Sequence, residues 1–247
     1  MKVSLSLEET CTNDVSIVVD ALRASTTITI ALDQFKEIIP CFTPEEAKEL
    51  AKKYECILAG ERKGSKLEGF DIGNSPTAIK SYESEKDTLI LTTSNGTRIM
   101  ESMTSTILIG SFINSQSVAK AAIELANNHI DVVMAGVNSE FAIEDYLAAG
   151  EILYWIEEEL NKKQDKNKEE NSPKELHYWK NTEGLTEYAK SAILASQDIN
   201  LCKKAIKESR SGKRLKYLGY EEDVNYCMKR NISKNVAIYK DKILTKY

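Results

Sequence analysis

The stretch Val15–Leu32, VSIVVDALRASTTITIAL, contains the unit that decides the fold of this chain. Its β-branched run Val15–Val19 predicts a buried strand, because side chains of this type pack well on a pleated surface. A helical pattern then begins at Ser25, and Asp20 and Arg23 occupy the turn between the two elements. A strand followed directly by a helix is the repeating unit of α/β proteins, so the stretch predicts a parallel sheet with helices on its faces.

The same alternation continues through the first 155 residues. Further strands are predicted at Glu37–Pro40, Cys56–Ala59, Leu89–Thr93, Ile107–Ile109 and Val132–Ala135. Further helices are predicted at Pro44–Tyr54 with Thr43 as its cap, Thr97–Met103, Gln116–Asn127 and Ile143–Leu160. The predicted fold class is therefore α/β, with a mainly parallel sheet flanked by helices.

The pattern changes after Leu160. Residues 161–174, NKKQDKNKEENSPK, are almost purely charged or amide and predict a mobile, solvated excursion. Beyond it, the pattern predicts two helices and a final strand at Leu185–Ser209, Glu221–Lys229 and Val236–Tyr239. We interpret residues 1–247 as one domain, in which 1–160 contain most polar clusters and 175–247 form a mainly helical part packed on them.

The composition excludes several classes of protein. The chain has 247 residues and a formal net charge of −5, which gives no basic field for nucleic acid. No apolar run approaches the roughly 20 residues that a membrane-spanning helix needs, and the N-terminus has no signal pattern. The five cysteines lack C-x-x-C spacing, which favours reduced thiols. We therefore expect a cytoplasmic protein that acts on a small molecule and binds neither nucleic acid nor a membrane.

Polar clusters follow four of the predicted strands, at the edge where open α/β sheets bind their ligands. In the first cluster Asp20 ends a strand, which suits a metal ligand or a general base. Ser25, Thr26 and Thr27 then add hydroxyls and free backbone N–H groups at a helix start, and these favour an anion. The alternative interpretation is that Asp20 and Ser25 only cap the helix.

The second cluster is the glycine-rich stretch Gly60–Pro76, GERKGSKLEGFDIGNSP. A long ordered loop after a strand is a common place for binding and catalysis, and its mixed charge suits a small, highly anionic ligand. Glu61 can ligate a hard cation such as Mg²⁺, and Arg62 and Lys63 can hold acidic groups. Two further residues fit either a ligand site or a turn and helix start: Asn74 and Ser75.

Three further strand ends give weaker signals. The motif LTTSNGTR places polar groups at a strand-to-helix turn, namely Ser94, Asn95, Gly96, Thr97 and Arg98, although Asn-Gly alone is a common turn dipeptide. In AGVNSEFAIEDYLAAG, Glu140, Glu144 and Asp145 surround a helix start, where the helix dipole favours carboxylates in any case. Asp145 is the preferred second metal ligand or general base. The last candidate is Ser111, a polar residue that follows Gly110 at the end of a predicted strand.

Several common chemistries have no supporting motif. The chain has neither G-x-G-x-x-G after a strand nor G-x-x-x-x-G-K-[ST], so dinucleotide and Walker-type sites are unsupported. Its two histidines, His129 and His177, have no neighbours typical of a zinc site or a Ser–His–Asp arrangement. Cys56–Arg62, CILAGER, matches the C-x-x-x-x-x-R spacing of cysteine phosphatases. Its apolar residues predict a buried strand, so we interpret Cys56 as buried and inert.

These clusters, in this order, resemble the 2-phosphosulfolactate phosphatase family, Mg²⁺-dependent enzymes of sulfolactate and coenzyme M biosynthesis. The matching stretches are VVDALRASTT, LAGERKGSKLEGFDIGNSP, LTTSNGTR, IGSFIN and AIEDYLAAG, with a C-terminal L-x-x-L-G-x-x-x-D-V that ends at Val224. GER followed by GFDIGNSP is the most specific part of the resemblance. The departures from the family pattern are KLE at residues 66–68 and VNSEF at residues 137–141, so Ser139 and Glu140 are not carried over as site residues.

The resemblance implies a phosphoric monoester hydrolase that converts (2R)-phospho-3-sulfolactate to (R)-3-sulfolactate and phosphate. It implies that Asp20 and Glu61 hold Mg²⁺. Arg23 and nearby N–H groups then stabilise the transferred phosphoryl group, and Asp145 or Asp20 activates water. Because a D-x-D motif is absent, we favour direct attack by water over a covalent aspartyl-phosphate. The expected substrate contacts are Arg23, Ser25, Thr26, Arg62, Lys63, Asn74, Ser75, Ser94, Asn95, Gly96, Thr97, Arg98 and Ser111.

Two alternatives stay open at this point. A phosphatase that uses Cys56 as nucleophile would keep its activity without a metal. A non-catalytic protein that binds a phosphorylated or sulfonated acid would be stabilised by that ligand without turnover. The carboxylates Asp20 and Glu61 favour an enzyme, since an anion receptor gains nothing from negative charge unless a metal neutralises it. We also expect a homodimer, because two-fold dimers are the commonest oligomers of soluble proteins.

Overall fold

The computed structural model describes residues 1–93, 96–165 and 184–247, without the side chains of residues 96–98, 164 and 165. Within these residues the central element is a ten-stranded sheet. Its strands are β1 (Lys2–Leu7), β2 (Val15–Val19), β3 (Glu37–Cys41), β4 (Cys56–Arg62), β5 (Ser65–Lys66), β6 (Thr88–Thr92), β7 (Thr106–Gly110), β8 (His129–Met134), β9 (Ala237–Lys240) and β10 (Ile243–Lys246). Each strand predicted from the sequence is present.

The strands follow the order β1-β8-β2-β7-β9-β10-β3-β6-β4-β5 across the sheet. One block, β1, β8, β2 and β7, is parallel, and so is a second block, β3, β6 and β4. The antiparallel hairpin β9–β10 lies between the two blocks. The prediction of a mainly parallel sheet is confirmed, and the predicted final strand is the first strand of this hairpin.

The hairpin reverses one block relative to the other, because the three pairings from β7 through β9 and β10 to β3 are all antiparallel. Neighbouring strands are rotated by roughly 20–25° on average, so the six steps from β2 to β4 accumulate about 120–150° of twist. A twist of this size offsets most of the reversal, in agreement with the observation that residues after β2 and β4 line the same cavity.

Helices cover the sheet. Within the described residues they are α1 (Ala24–Ala31), α2 (Pro44–Ala51), α3 (Pro76–Lys80), α4 (Gly96–Glu101), α5 (Ser115–Leu125), α6 (Ile143–Asp165), α7 (Glu187–Ser196), α8 (Ile199–Glu208), α9 (Arg210–Tyr217) and α10 (Glu221–Cys227). A 3₁₀ turn, Phe112–Asn114, precedes α5. None of these helices is both long enough and apolar enough to cross a membrane.

Both faces of the central strands are buried. Ile17 and Leu108 pack in one hydrophobic cluster with residues of α5, α6 and α7. Their neighbours Val18 and Ile109 pack in a second cluster with residues of α1 and α3. Because alternate residues of a strand point to opposite faces, this division shows helices on the two sides of the sheet, as the β-branched run at β2 predicts.

The predicted helix Leu185–Ser209 is wrong, because two helices, α7 and α8, occupy this stretch. The Asp198 side chain accepts backbone N–H groups at the start of α8 and so begins a new helix. A third helix, α9, was missed. Ser209 caps it by accepting the Gly212 N–H at 3.0 Å. A Cβ at Gly212 would lie 2.1 Å from the Ile206 carbonyl oxygen, so only glycine permits this corner.

Further differences from the prediction concern α6 and β1. Helix α6 continues past Leu160 to Asp165, so the first residues of the predicted excursion are helical, and its remainder lies outside the described residues. Strand β1 was missed although its sequence, KVSLSL, alternates with the period of a strand. The single-domain organisation stays a prediction, which the position of β9 and β10 inside the sheet supports.

Candidate active site

A cavity of about 370 Å³ opens where β2, β4, β6 and β8 end, beside the first turns of α9. Five of the predicted site residues line it: Asp20, Arg23, Glu61, Lys63 and Asn74. Carboxylate, amide and cationic groups thus line one cavity. Such a convergence of polar groups in a concave site is typical of a ligand pocket.

Asp20 reaches the cavity from the turn after β2 and has only 8% of its surface exposed. The Asp20 N–H donates to Ser25 Oγ (2.8 Å), and the Ser25 N–H donates to the Asp20 carbonyl oxygen (2.9 Å). Thr26 Oγ1 donates to the carbonyl oxygen of Ala21 in the same turn. The predicted anion-binding hydroxyls of Ser25 and Thr26 therefore shape the turn. Helix α1, described throughout, begins without a side-chain cap, so the capping interpretation is wrong.

Arg23 is buried and donates hydrogen bonds to two distant parts of the chain. Its Nη1 donates to Asp223 Oδ2 at 2.6 Å, and its Nη2 donates to the Gly64 carbonyl oxygen at 2.8 Å. The guanidinium also lies over the Tyr220 ring, 4.5 Å from its centroid. Asp223, at the end of the C-terminal motif noted in the sequence, thus fixes the direction of the cation that lines the cavity.

Glu61 lies at the end of β4, because this strand continues past its predicted end at Ala59 and turns back into β5. Lys63 and Gly64 form the turn with φ angles of 53° and 85°, and the Gly64 N–H donates to Glu61 Oε2 at 2.6 Å. The first part of the predicted loop is therefore a β-hairpin. Its tip carries Lys63 into the cavity wall while Glu61 lies at its base.

The structure gives different roles to Asn74 and Ser75, each of which the sequence allowed to be either a ligand-binding residue or part of a helix start. Ser75 caps α3, because its Oγ accepts the Ala78 N–H at 3.2 Å and donates to Asp223 Oδ1 at 2.8 Å. Asn74 lines the cavity with 4% of its surface exposed, and its Oδ1 has no hydrogen-bond partner among the described residues. A buried acceptor without a partner costs free energy, so this oxygen is a strong indication of a ligand.

Asp145 lies behind the cavity and joins two strand ends. Its Oδ1 accepts the Ala21 N–H at 2.8 Å, and its Oδ2 accepts the Gly136 N–H at 3.0 Å. Burial raises the pKa of Asp145 well above its usual value, and the negative charges of Asp20 and Glu144 raise it further, against the effect of the two N–H donors. Asp145 thus positions the turn that carries Asp20. Its role as metal ligand or general base stays a prediction.

Other predicted residues lie away from the cavity wall. Arg62 donates to its neighbour's carbonyl, Glu61 O, at 2.8 Å, and to the carbonyl of Phe42. Ser111 is fully buried, and its Oγ donates to Asn114 Oδ1 at 3.1 Å at the start of the 3₁₀ turn. Of the remaining candidates, Ser94 and Asn95 lie outside the described residues, and only the backbone at the start of α4 is described for Gly96, Thr97 and Arg98.

Cys56 is buried at the start of β4, at the opposite end of the strand from Glu61. Five residue steps of about 3.3 Å separate the two, or roughly 17 Å. Burial raises the pKa of the Cys56 thiol, which disfavours the reactive thiolate. The structure therefore gives Cys56 no access to the cavity.

Three polar residues of α9 that line the cavity were missed: Arg210, Ser211 and Arg214. The available signal was a serine cap followed three residues later by glycine, with arginines four residues apart on one helix face. Arg210 pairs with Glu140 at 2.6 Å, and Arg214 Nε donates to the Lys63 carbonyl oxygen at 2.6 Å. Thr93 and Asn138 also line the cavity.

The oxygen donors of the cavity limit the kind of metal that it suits. In the part of the chain that the structure describes, no three His, Cys, Asp or Glu side chains converge as a metal centre. Asp20, Glu61 and the unpartnered Asn74 Oδ1 are hard oxygen donors that line one space. Mg²⁺ is usually held by one or two carboxylates together with neutral oxygens and substrate phosphate, so this donor set fits it.

Comparisons with known proteins agree with this geometry. A family model described as 2-phosphosulpholactate phosphatase matches residues 2–242. The 2-phosphosulfolactate phosphatase of Methanothermobacter thermautotrophicus is 46% identical over 241 residues, covering 98% of this chain and 93% of that protein. Probable 2-phosphosulfolactate phosphatases of Clostridium acetobutylicum (35% identical; 94% and 92% covered) and Clostridium beijerinckii (35%; 97% and 94%) are also similar. The predicted family and enzyme class are confirmed: the chain belongs to the 2-phosphosulfolactate phosphatase family.

Proposed function

We propose that this chain hydrolyses (2R)-phospho-3-sulfolactate to (R)-3-sulfolactate and phosphate, with Mg²⁺ as its cofactor. The observation that carries the proposal is one cavity in which Asp20, Glu61 and Asn74 lie with four cationic side chains, and Asn74 Oδ1 has no hydrogen-bond partner among the described residues. The cations suit a substrate with phosphate, carboxylate and sulfonate groups. The two buried carboxylates suit a metal-assisted reaction, since they would repel an anion bound without a metal.

Asp20, Glu61 and Asn74 would hold the metal through their side-chain oxygens. When bound, Mg²⁺ neutralises charge on the phosphoryl group and on the leaving oxygen. Arg23 stabilises the charge on the transferred group, and its ion pair with Asp223 keeps the guanidinium in a fixed direction. This prepositioning means that little reorganisation is needed when charge shifts during the reaction.

In the proposed reaction a water oxygen bonds to phosphorus as the bond between phosphorus and the C2 oxygen of the substrate breaks. The electron pair of that bond stays on the C2 oxygen, which takes a proton from the surrounding water and becomes the hydroxyl of sulfolactate. We assign the removal of the water proton to Asp20, which lines the cavity. Asp145 acts through Asp20, because both of its oxygens accept backbone N–H groups from the two strand ends.

The test is phosphate release from racemic 2-phosphosulfolactate, with Mg²⁺ and with excess EDTA. Release that needs Mg²⁺ is expected, and thermal unfolding should shift upward when Mg²⁺ is added to the metal-free protein. Release that survives chelation would contradict the role of the metal and support Cys56 as the nucleophile. Ligand-dependent stabilisation without release would instead favour a non-catalytic binding protein.

We propose further that the enzyme acts in the cytoplasm, in the synthesis of sulfolactate and coenzyme M, as a homodimer. All five cysteines are described, and all have free thiols, which suits a reducing compartment. Light scattering tests the oligomer: a mass near twice the 27.7 kDa of the chain is expected. A mass that equals one chain at micromolar concentration would contradict the dimer.

A further inference from the structure

The four cations that line the cavity differ in their partners. Arg23 and Arg210 each form an ion pair at 2.6 Å with a carboxylate. Lys63 and Arg214 also line the cavity. Neither has a carboxylate within 4.0 Å among the residues that the structure describes. Among the described residues, Lys63 and Arg214 are therefore the two cations of the cavity wall that form no ion pair with a carboxylate.

These two cations are held on the same wall. Arg214 Nε donates to the carbonyl oxygen of Lys63 at 2.6 Å, so helix α9 contacts the tip of the β4–β5 hairpin. Gly64 follows in the turn, and a Cβ at this position would lie 3.0 Å from Cδ1 of Leu218, the residue at which α9 ends. The close packing of the turn on the helix fixes Lys63 next to Arg214. Both side chains are exposed, so this wall lies at the mouth of the cavity.

The same turn connects this wall to the acidic residues. The Gly64 N–H donates to Glu61 Oε2 at 2.6 Å, and the Gly64 carbonyl oxygen accepts from Arg23 at 2.8 Å. The hairpin therefore carries a carboxylate at its base and a cation at its tip, two residues apart. A ligand that bridges the two regions needs one anionic group for the metal site and another for the mouth.

Resting on the proposed function, we propose that Lys63 and Arg214 form a second anion subsite, which binds the sulfonate of the substrate and sets its specificity. The sulfonate sulfur is one bond further from the ester-bearing carbon than the carboxylate carbon is. It therefore reaches toward the mouth when the phosphate lies near Asp20 and Glu61. Among the described residues Arg214 donates through its Nε alone, so its two terminal nitrogens stay available there for a paired contact with an oxyanion.

The experiment compares two substrates, 2-phosphosulfolactate and 2-phospholactate, which lacks the sulfonate. The quantity measured is the ratio of kcat/KM for the first substrate to kcat/KM for the second. Arg214→Gln and Lys63→Gln should each lower this ratio by at least about tenfold, the effect of one charge-assisted hydrogen bond. Lys213→Gln is the matched control on the same helix, because Lys213 pairs with Glu208 at 3.0 Å and lies outside the cavity wall.

The outcomes separate this inference from the proposed function. If the wild type releases phosphate but neither Arg214→Gln nor Lys63→Gln changes the ratio, the subsite is refuted and the phosphatase activity stands. If the wild type releases phosphate from neither substrate, the proposed function fails, and calorimetry with 3-sulfolactate decides on the subsite. Binding that Arg214→Gln weakens at least about tenfold supports it. Equal binding by both proteins, or no binding by the wild type, overturns it.

Discussion

Replacing Asp223 by alanine is expected to destabilise the protein strongly. Asp223 and Arg23 have 1% and 2% of their side chains exposed and lie 2.6 Å apart. At an effective dielectric constant of about 20, two unit charges at this distance attract each other by about 6 kcal/mol. Asp223 also accepts hydrogen bonds from Ser75 and Thr77. Because desolvation offsets part of the attraction, we expect Asp223→Ala to lower the free energy of unfolding by about 3–5 kcal/mol.

The assay is urea unfolding followed by far-ultraviolet circular dichroism, with kcat measured on the folded fraction. Glu222→Ala is the matched control, since this exposed carboxylate lies in the first turn of the same helix and its loss should cost less than about 0.5 kcal/mol. A double variant, Arg23→Met with Asp223→Leu, removes both charges and should recover part of the lost stability. A loss below about 1 kcal/mol in Asp223→Ala would refute the reasoning, because it would mean that the Arg23 charge needs no buried partner.

Three further predictions follow from the same structure. Asp20→Ala should lower kcat at least about 10²-fold, while Asp87→Ala, at an exposed surface pair, should not; near-normal turnover in Asp20→Ala would remove this residue from the mechanism. Cys56→Ser should keep its phosphate release and its Mg²⁺ requirement, and abolished release would revive a cysteine nucleophile. Backbone N–H groups of Asn128, His129 and Asn127 lower the pKa of Asp14 to about 2. The stabilisation from Asp14 is therefore present above its ordinary pKa of 3.8 and is lost as the pH falls toward 2. Asp14→Ala should cost about 1 kcal/mol in urea unfolding at pH 7, and a cost that persists undiminished near pH 2.5 would contradict this.

Much of the fold could be predicted because its signals are local. The β-branched run at Val15–Val19 and the apolar run at Cys56 both form strands. Asp20 follows the first run directly and Glu61 follows the second after Gly60, and both line the cavity. A strand and the turn that follows it are consecutive in sequence, so their pattern is enough to place a side chain at the strand end.

The rest of the site depends on distant parts of the chain. Arg23 and its partner Asp223 are 200 residues apart, and Lys63 and Arg214 are 151 residues apart. No local pattern indicates which helix packs against which turn. Asn74 and Ser75 illustrate the same limit, since neighbours with equally polar side chains serve different roles once α3 begins at Pro76. That Asn74 Oδ1 has no partner within the described part of the chain becomes evident only when its surroundings are known.

The position of β9 and β10 in the middle of the sheet has a consequence for how the protein is made. A ribosome synthesises the chain from its N-terminus, so residues 237–246 emerge after all eight other strands. Until then, β7 and β3 have open edges, because their neighbours in the sheet do not yet exist. The two parallel blocks, which carry Asp20 and Glu61 respectively, lack the strands that connect them in the sheet until these last residues arrive. We therefore expect the cavity lined by Asp20 and Glu61 to be completed late, and a nascent chain stalled before residue 237 would lack the strands that connect its two sides.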